Sequence, residues 1–313
     1  MKRILLFAAL SLTLVACKTK SIDAVNYQVQ ETNVSTTLKY LSSDELEGRD
    51  SNSKGIEKAA NYLEEILKKS NVKPYFSNYK DTLSNIANAY NVVGYIEGTD
   101  PKLKNEWVIL GAHYDHIGIT EKGFEGDFIN NGANDNASGT TILSEVAKYL
   151  GTSKNNKRSV MFVFFSAEEK GLLGAKHLAK KLKEQNVDLY TLLNFEMLGV
   201  PMNYEFEMFL TGYNMSNMAQ KINEYAGTNL VGMSEGAEKY NLFKASDNYP
   251  FYQTFKIPSQ TLSAFDFSNF DYYHHPKDEF EEMDIEYMTR IAQKILPVVD
   301  KMLNTDSKEI QLK

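Results

Sequence analysis

Histidines and acidic residues stand directly after apolar runs in this sequence, and side chains placed there can do chemistry. Trp107-Val108-Ile109-Leu110-Gly111-Ala112 is followed by His113-Tyr114-Asp115-His116, and Val160-Met161-Phe162-Val163-Phe164-Phe165 by Ser166-Ala167-Glu168-Glu169. Leu192-Leu193-Asn194-Phe195 is followed by Glu196. A Gly/Asn-rich loop, Asn131 to Gly139, carries Asp135 into a helical pattern, and Tyr273-His274-His275-Pro276-Lys277-Asp278 stands near the C-terminus. Imidazole and carboxylate together are what catalytic zinc binds. A strand-end His or Asp taken alone more often caps or hydrogen-bonds, and two adjacent glutamates are usually a solvated face. Glu168-Glu169 differ, because an apolar strand precedes them and Gly171-Leu172-Leu173-Gly174 follows, so the pair is held at a sheet edge. Five elements delivering His, Asp, Glu-Glu, Glu and His in a workable order make chance convergence a poor account.

The elements that must position these groups alternate along the chain. Apolar residues at Ile56, Ala59, Ala60, Leu63, Ile66 and Leu67 follow a helical period between Gly55 and Ser70. β-rich runs cover Asn91 to Ile96, Trp107 to Ala112, Ser159 to Phe165, Thr191 to Phe195 and Glu205 to Leu210. Helical patterns cover Ser138 to Leu150, Gly174 to Leu182, Asn214 to Tyr225 and Asp284 to Leu303. Strands alternating with helices predict an α/β fold: one domain with a largely parallel, mixed central β-sheet flanked by helices. Ligands in such sheets bind beyond the carboxyl ends of the strands, where these groups fall.

Of the 313 residues, 42% are hydrophobic and 24% charged, a globular composition that excludes a disordered or fibrous chain. A net charge of −7 argues against nucleic acid as a partner. One cysteine permits neither an intrachain disulfide nor a cysteine zinc knuckle. That cysteine closes Leu14-Val15-Ala16-Cys17, after Lys2-Arg3 and an apolar stretch from Ile4 to Val15 too short to span a bilayer. Small residues before a cysteine resemble the bacterial lipobox. The expected organisation is a signal peptide at 1–16, a tether at 17–35 lipidated at Cys17, a catalytic domain at 36–305 and a tail at 306–313. The protein is expected to be exported and held on a bacterial membrane by its N-terminal lipid alone, facing the periplasm or cell exterior.

The motifs taken together resemble the co-catalytic di-zinc aminopeptidases of metallopeptidase family twenty-eight, relatives of the glutamate carboxypeptidases and glutaminyl cyclases. The resemblance runs from about Leu38 to Met302 and includes Tyr40-Leu41-Ser42-Ser43-Asp44-Glu45-Leu46-Glu47-Gly48-Arg49 as the N-terminal signature. It implies the zinc-exopeptidase fold, peptide substrates and two Zn2+ per chain. Asp135 would bridge the ions, with His113 and Glu196 completing one site and Glu169 and His274 the other. Glu168 would be the general base, Asp115 would orient His113, and Tyr273 could donate to the oxyanion unless it is a core tyrosine. The chemistry agrees: two ions sharing a carboxylate acidify a water between them, and a separate carboxylate must carry its proton to the leaving amine. A carboxylate on a ligating imidazole fixes its tautomer, the role expected of Asp115 on His113 and of Asp278 on His274.

The chain departs from the pattern where many relatives carry Asp for Glu196 and His for Asn248, so no role is assigned to Asn248. His274, two residues before the proline, is expected inward rather than His275. His116 is expected to be a polar neighbour, since adjacent side chains on an extended segment face apart, and His177 to be structural. The side-chain pocket is expected between Pro201 and Ser263, favouring hydrophobic N-terminal residues. The rival readings are a single-zinc glutaminyl cyclase, against which His113 and Glu196 speak, and a non-catalytic binding lipoprotein, against which Glu168 speaks.

Overall fold

The structure, a computed structural model, describes residues 26–84 and 86–313. Cys17, with the leader and residues 18–25 of the tether, lies outside them. The strands are β1 (Lys73–Pro74), β2 (Lys80–Thr82), β3 (Tyr90–Ile96), β4 (Glu106–His113), β5 (Gly118–Phe124), β6 (Asp127–Asn130), β7 (Ser159–Phe165), β8 (Asp188–Glu196), β9 (Met208–Leu210), β10 (Val231–Gly232) and β11 (Ser259–Ser263). The helices are α1 (Glu31–Leu41), α2 (Lys54–Lys69), α3 (Gly139–Ser153), α4 (Leu173–Glu184), α5 (Met218–Ala226), α6 (Glu235–Lys239), α7 (Asn248–Phe255) and α8 (Ile285–Asn304). The main sheet runs β1-β3-β7-β4-β8-β11-β9-β10, with β2 also on β3. Its centre, β7-β4-β8-β11, is parallel, while β3 and β9 join antiparallel. This is the mixed, largely parallel sheet expected.

Parallel strands covered on both faces read as unbroken apolar runs, and β7 shows the reason residue by residue. Val160, Phe162 and Phe164 enter the larger core with α1, α2, α3 and α8. Met161, Val163 and Phe165 face a second core built on α4 and Phe251 of α7. Helices on both faces leave the strand ends open at one edge, and β4, β7 and β8 all finish there. The helix expected near 55–70 is α2, whose six periodic apolar residues are all buried and whose N-terminus Ser53 caps by accepting the Ile56 N–H at 3.0 Å.

The ends of the chain differ from expectation. α1 starts at Glu31, inside the stretch expected as tether, because Val34, Leu38 and Leu41 form a buried stripe too sparse to stand out in a polar sequence. The last residues are not a free tail: Ile310 is buried, its N–H donating to the Tyr190 hydroxyl, and Leu312 bridges to Ser216. A β5–β6 hairpin between the His113 and Asp135 loops also went unread, since its residues are mostly polar and exposed. Among the described residues no helix is long and apolar enough to cross a membrane.

Arg49, at the end of the N-terminal signature, is fully buried, and its position explains that segment. Its Nε donates to the Tyr114 carbonyl at 2.8 Å, Nη1 to the Leu41 and Asn131 carbonyls, and Nη2 to Gly132 at 2.9 Å. One guanidinium thereby ties α1 to the loop after β4 and to the loop that carries Asp135. Each carbonyl left buried without its donor costs about 1–3 kcal/mol. Arg49→Ala should therefore lose more than about 3 kcal/mol of stability in urea unfolding, with Arg49→Lys recovering only part, because an ammonium lacks the planar fork.

Candidate active site

His113 is the last residue of β4 and Glu196 the last of β8, so two neighbouring parallel strands set them side by side. His113 Nε2 lies 2.8 Å from Glu196 Oε1 and 3.3 Å from Asp135 Oδ1. The other oxygen of Asp135 faces a different histidine, His274, with Oδ2 3.2 Å from Nε2. His274 Nε2 also lies 3.2 Å from Glu169 Oε2. One buried carboxylate thus stands between two imidazoles, each accompanied by a glutamate. The ligand atoms form two groups, His113–Asp135–Glu196 and His116–Asp135–Glu169–His274. Donors on a tetrahedral ion with bonds near 2.0–2.1 Å sit about 3.3 Å apart. The spacings observed surround that value, and the donor types suit zinc, so these residues fit a pair of ions sharing Asp135.

Local chemistry fixes each side chain. Asn136, next to Asp135, donates from Nδ2 to the Phe195 carbonyl at 2.9 Å, while its Oδ1 accepts the Gly139 and Met197 N–H groups. Asn134 Oδ1 accepts the Gly199 N–H and Ser138 Oγ accepts that of Leu198. The polar residues of the Gly/Asn-rich loop therefore satisfy the backbone just beyond β8 and lock the Asp135 loop to Glu196. Gly139 lets the two backbones meet: a Cβ there would fall 2.4 Å from the Phe195 carbonyl oxygen.

Two orienting roles expected from the sequence are corrected. Nδ1 of His113 lies 3.1 Å from the main-chain carbonyl of Asp115, whereas the Asp115 carboxylate is 3.7 Å away. That carboxylate instead accepts the N–H groups of Glu168 and Glu169, at 3.1 and 3.4 Å, and so holds the turn that presents the glutamate pair. Asp278 does not orient His274: its oxygens accept the N–H groups of Asn134 and Asp135 at 2.7 and 3.0 Å. Both acids act one step earlier than expected, on the backbone of the donor loops.

The remaining expectations divide. His274 faces the site, while His275 Nδ1 accepts the Lys277 N–H and its ring packs on Phe124. Tyr273 is no core residue: it is half exposed at the mouth of the pocket, its ring stacked on that of His274 with centroids 4.0 Å apart. Asn248 is buried in hydrogen bonds to Phe243, Ser259 and Thr261, away from any donor group. His177, on α4, meets Asp81 of β2, outside the site. His116 differs most, its buried ring turned towards Glu169 and Asp135. The chain leaves β4 after His113, so strand alternation no longer applies to it. Sequence reasoning also missed Ser246, whose hydroxyl donates to Glu196 Oε2 at 2.7 Å, and no spacing signalled it.

The glutamates diverge electrically as well as in direction. Burial pushes the Glu168 carboxyl well above the usual range, and Glu196, Asp247 and Glu169 add to this against the pull of His113. Burial and Asp135 also oppose charge on Glu169, yet His116 and His274 hold it below the usual range. Burial likewise disfavours charge on Asp135, but His113, His274 and His116 bring it well below normal. Burial works against protonated His274, but Asp135 and Glu169 win and raise it to about 10. His113 is raised in the same way, burial being overcome by Glu196, Glu168, Asp115 and Asp135. Carboxylates crowd this edge so densely that His113 and His274 bind protons more tightly than a free imidazole.

The pocket beside these groups is lined by Met197, Leu242, Phe265 and Phe267 and by the hydroxyl residues Thr211, Ser246, Thr261 and Ser263. The stretch from Pro201 to Ser263 contributes as expected, but chiefly through hydroxyls and Leu242. The aromatic wall comes from just beyond it.

The Peptidase family M28 model matches residues 91–299. Aminopeptidase YwaD of Bacillus subtilis is 24% identical over 223 residues, covering 66% of this chain and 43% of the relative. The chain spans under half the length of the first curated relatives it matches. A Zn-dependent exopeptidase from Parabacteroides distasonis superposes with a TM-score of 0.68 at 19% identity, covering 89% of this chain and 99% of that one. A glutaminyl cyclase from Porphyromonas gingivalis does so with 0.68 at 14%, covering 88% and 100%. These two share the fold. That match covers more than half of the chain and every donor residue from His113 to His274, and the chain belongs to peptidase family M28.

Proposed function

We propose that the protein is a zinc aminopeptidase that removes N-terminal residues from peptides using two ions. The observation that carries this reading is Asp135, whose two oxygens face two different histidine–glutamate pairs. His113, Asp135 and Glu196 would hold one ion and Asp135, Glu169 and His274 the other. When bound, zinc supplies Lewis-acid polarisation of the scissile carbonyl and acidifies a water. Glu168 takes the proton of the attacking water and delivers it to the departing amine. Its raised affinity for a proton suits a group that must both accept and release one near neutrality. The Asp115 carboxylate holds the Glu168 backbone in place for this, and Tyr273 keeps its phenolic proton available for donation, its acidity suppressed by burial and then by Asp135 and Glu169. The apolar wall of the pocket favours an uncharged, hydrophobic first side chain. The intact His113–Glu196 pair supports two ions and a peptidase over a single-zinc cyclase, and Glu168 in the pocket supports catalysis over simple binding. The leader ending at Cys17 supports export and lipid anchoring.

The zinc-loaded protein should hydrolyse substrates with a free N-terminal amine and leave N-acetylated ones intact, and elemental analysis should find two zinc ions per chain; one ion would favour the cyclase. Glu168→Gln should retain zinc while turnover falls by at least about 10²–10⁴-fold. Glu169→Gln should instead lose zinc affinity and regain activity with added metal. Near-normal turnover in zinc-loaded Glu168→Gln would reject the choice of base.

Because the neighbouring carboxylates raise the proton affinity of His113 and bring that of His274 to about 10 in the metal-free site, metal must displace protons. Zinc binding at pH 7 should release roughly two protons per chain and strengthen as pH rises. Calorimetry in buffers of different ionisation enthalpy reads the number. Mass spectrometry of the native N-terminus should find a lipid on Cys17, and cleavage elsewhere would reject the anchor.

A further inference from the structure

His116 occupies a place that the five-ligand reading leaves unexplained. Its ring is fully buried, and its Nδ1 lies 2.9 Å from Glu169 Oε1 and 3.8 Å from Asp135 Oδ2. Its Nε2 has no hydrogen-bond partner in the structure, so Nδ1 is the nitrogen that the fold engages. Gly132, at φ +57°, makes room for the ring, since a Cβ there would come within 2.6 Å of Cγ and Cδ2. Arg49, through the Gly132 carbonyl at 2.9 Å, holds that glycine in place. The ring is therefore clamped from behind and presents Nδ1 to the space between Glu169, Asp135 and His274.

Two roles are open to a nitrogen so placed: a hydrogen bond to Glu169, or a bond to the same ion that Glu169 holds. The spacings favour the second. Donor atoms on one tetrahedral zinc lie about 3.3 Å apart. The proposed ligand pairs of the two sites stand at 2.8, 3.2, 3.2 and 3.3 Å, and the His116 pairs at 2.9 and 3.8 Å bracket the same value. A hydrogen bond to Glu169 alone would not require Nδ1 also to approach Asp135 and to fall within 4.8 Å of the His274 donor, as it does.

We infer that His116 is a fourth protein ligand of the ion held by Asp135, Glu169 and His274, bonding through Nδ1. The inference rests on the two-zinc reading and deepens it by making the two positions unequal. One position, with two imidazoles and two carboxylates, is closed by protein donors in the manner of a structural zinc site. The other, with His113, Asp135 and Glu196, keeps an open place as catalytic sites do. The closed position fills first and holds its ion through turnover, while the open one exchanges.

The test is X-ray absorption of the full protein loaded with one molar equivalent of zinc, together with chelator competition. The wild type should show two imidazoles on zinc. His116→Gln, whose amide can still donate a hydrogen bond to Glu169, should show one, with first-equivalent affinity lowered by more than about 100-fold, beyond the usual 10–100-fold cost of losing a group that merely supports a ligand. A single imidazole in the wild type, or unchanged first-equivalent affinity in His116→Gln, overturns the inference and leaves the aminopeptidase reading standing. Failure of the wild type to bind zinc overturns both.

Discussion

The crowding of acid groups at one sheet edge is the constraint around which this molecule is arranged. Asp115, Asp135, Glu168, Glu169, Glu196, Asp247 and Asp278 converge where β4, β7 and β8 end, and several of them are wholly buried. A buried carboxylate without a partner costs several kcal/mol, so each must be paired, protonated or neutralised by a cation. Asp115 and Asp278 are answered by main-chain N–H groups, Glu196 in part by Ser246, and Asp135 and Glu169 by imidazoles. Asp247, whose oxygens have no hydrogen-bond partner, is driven by burial far towards its neutral form.

This balance also accounts for the elements furthest from the chemistry. Arg49 carries its positive charge into the interior, and burial lowers its affinity for a proton to about 10 although Asp278, Asp135, Asp115 and Glu169 all favour the charge. It spends its hydrogen bonds on carbonyls and its field on the acids. The stability of the N-terminal signature and the electrostatics of the metal-binding edge are therefore one problem, solved by one residue.

What could be read from sequence follows from the range of each interaction. The runs that became β4, β7 and β8 were legible because both faces of a central parallel strand are apolar, and the donors at their ends stood out against that background. Glu168 and Glu169 were legible as a pair for the same reason. The tasks of Asp115 and Asp278 were not, since a carboxylate leaves the same trace in sequence whether it meets an imidazole or a distant backbone N–H. β11 was hidden too: Ser259-Gln260-Thr261-Leu262-Ser263 is polar, yet buried, because its side chains hydrogen-bond to Asn248, Thr211 and Ser216. Periodicity registers contact with solvent, and a polar strand satisfied internally escapes it.

The clamp from Asn134, Asn136 and Ser138 onto the chain beyond β8 has a consequence for divergence. Met197, one wall of the pocket, is bonded through its backbone to the residue beside Asp135. Any drift of that wall would drag the shared carboxylate with it. Leu242 and Phe267 sit on other segments, with Phe267 ringed by Tyr240, Phe265 and Tyr273 rather than by donor groups. The pocket thus has an immovable side and an exchangeable one. A lineage changing what the pocket accepts, or an engineer imitating it, has freedom on the aromatic side while the donor cluster keeps its frame.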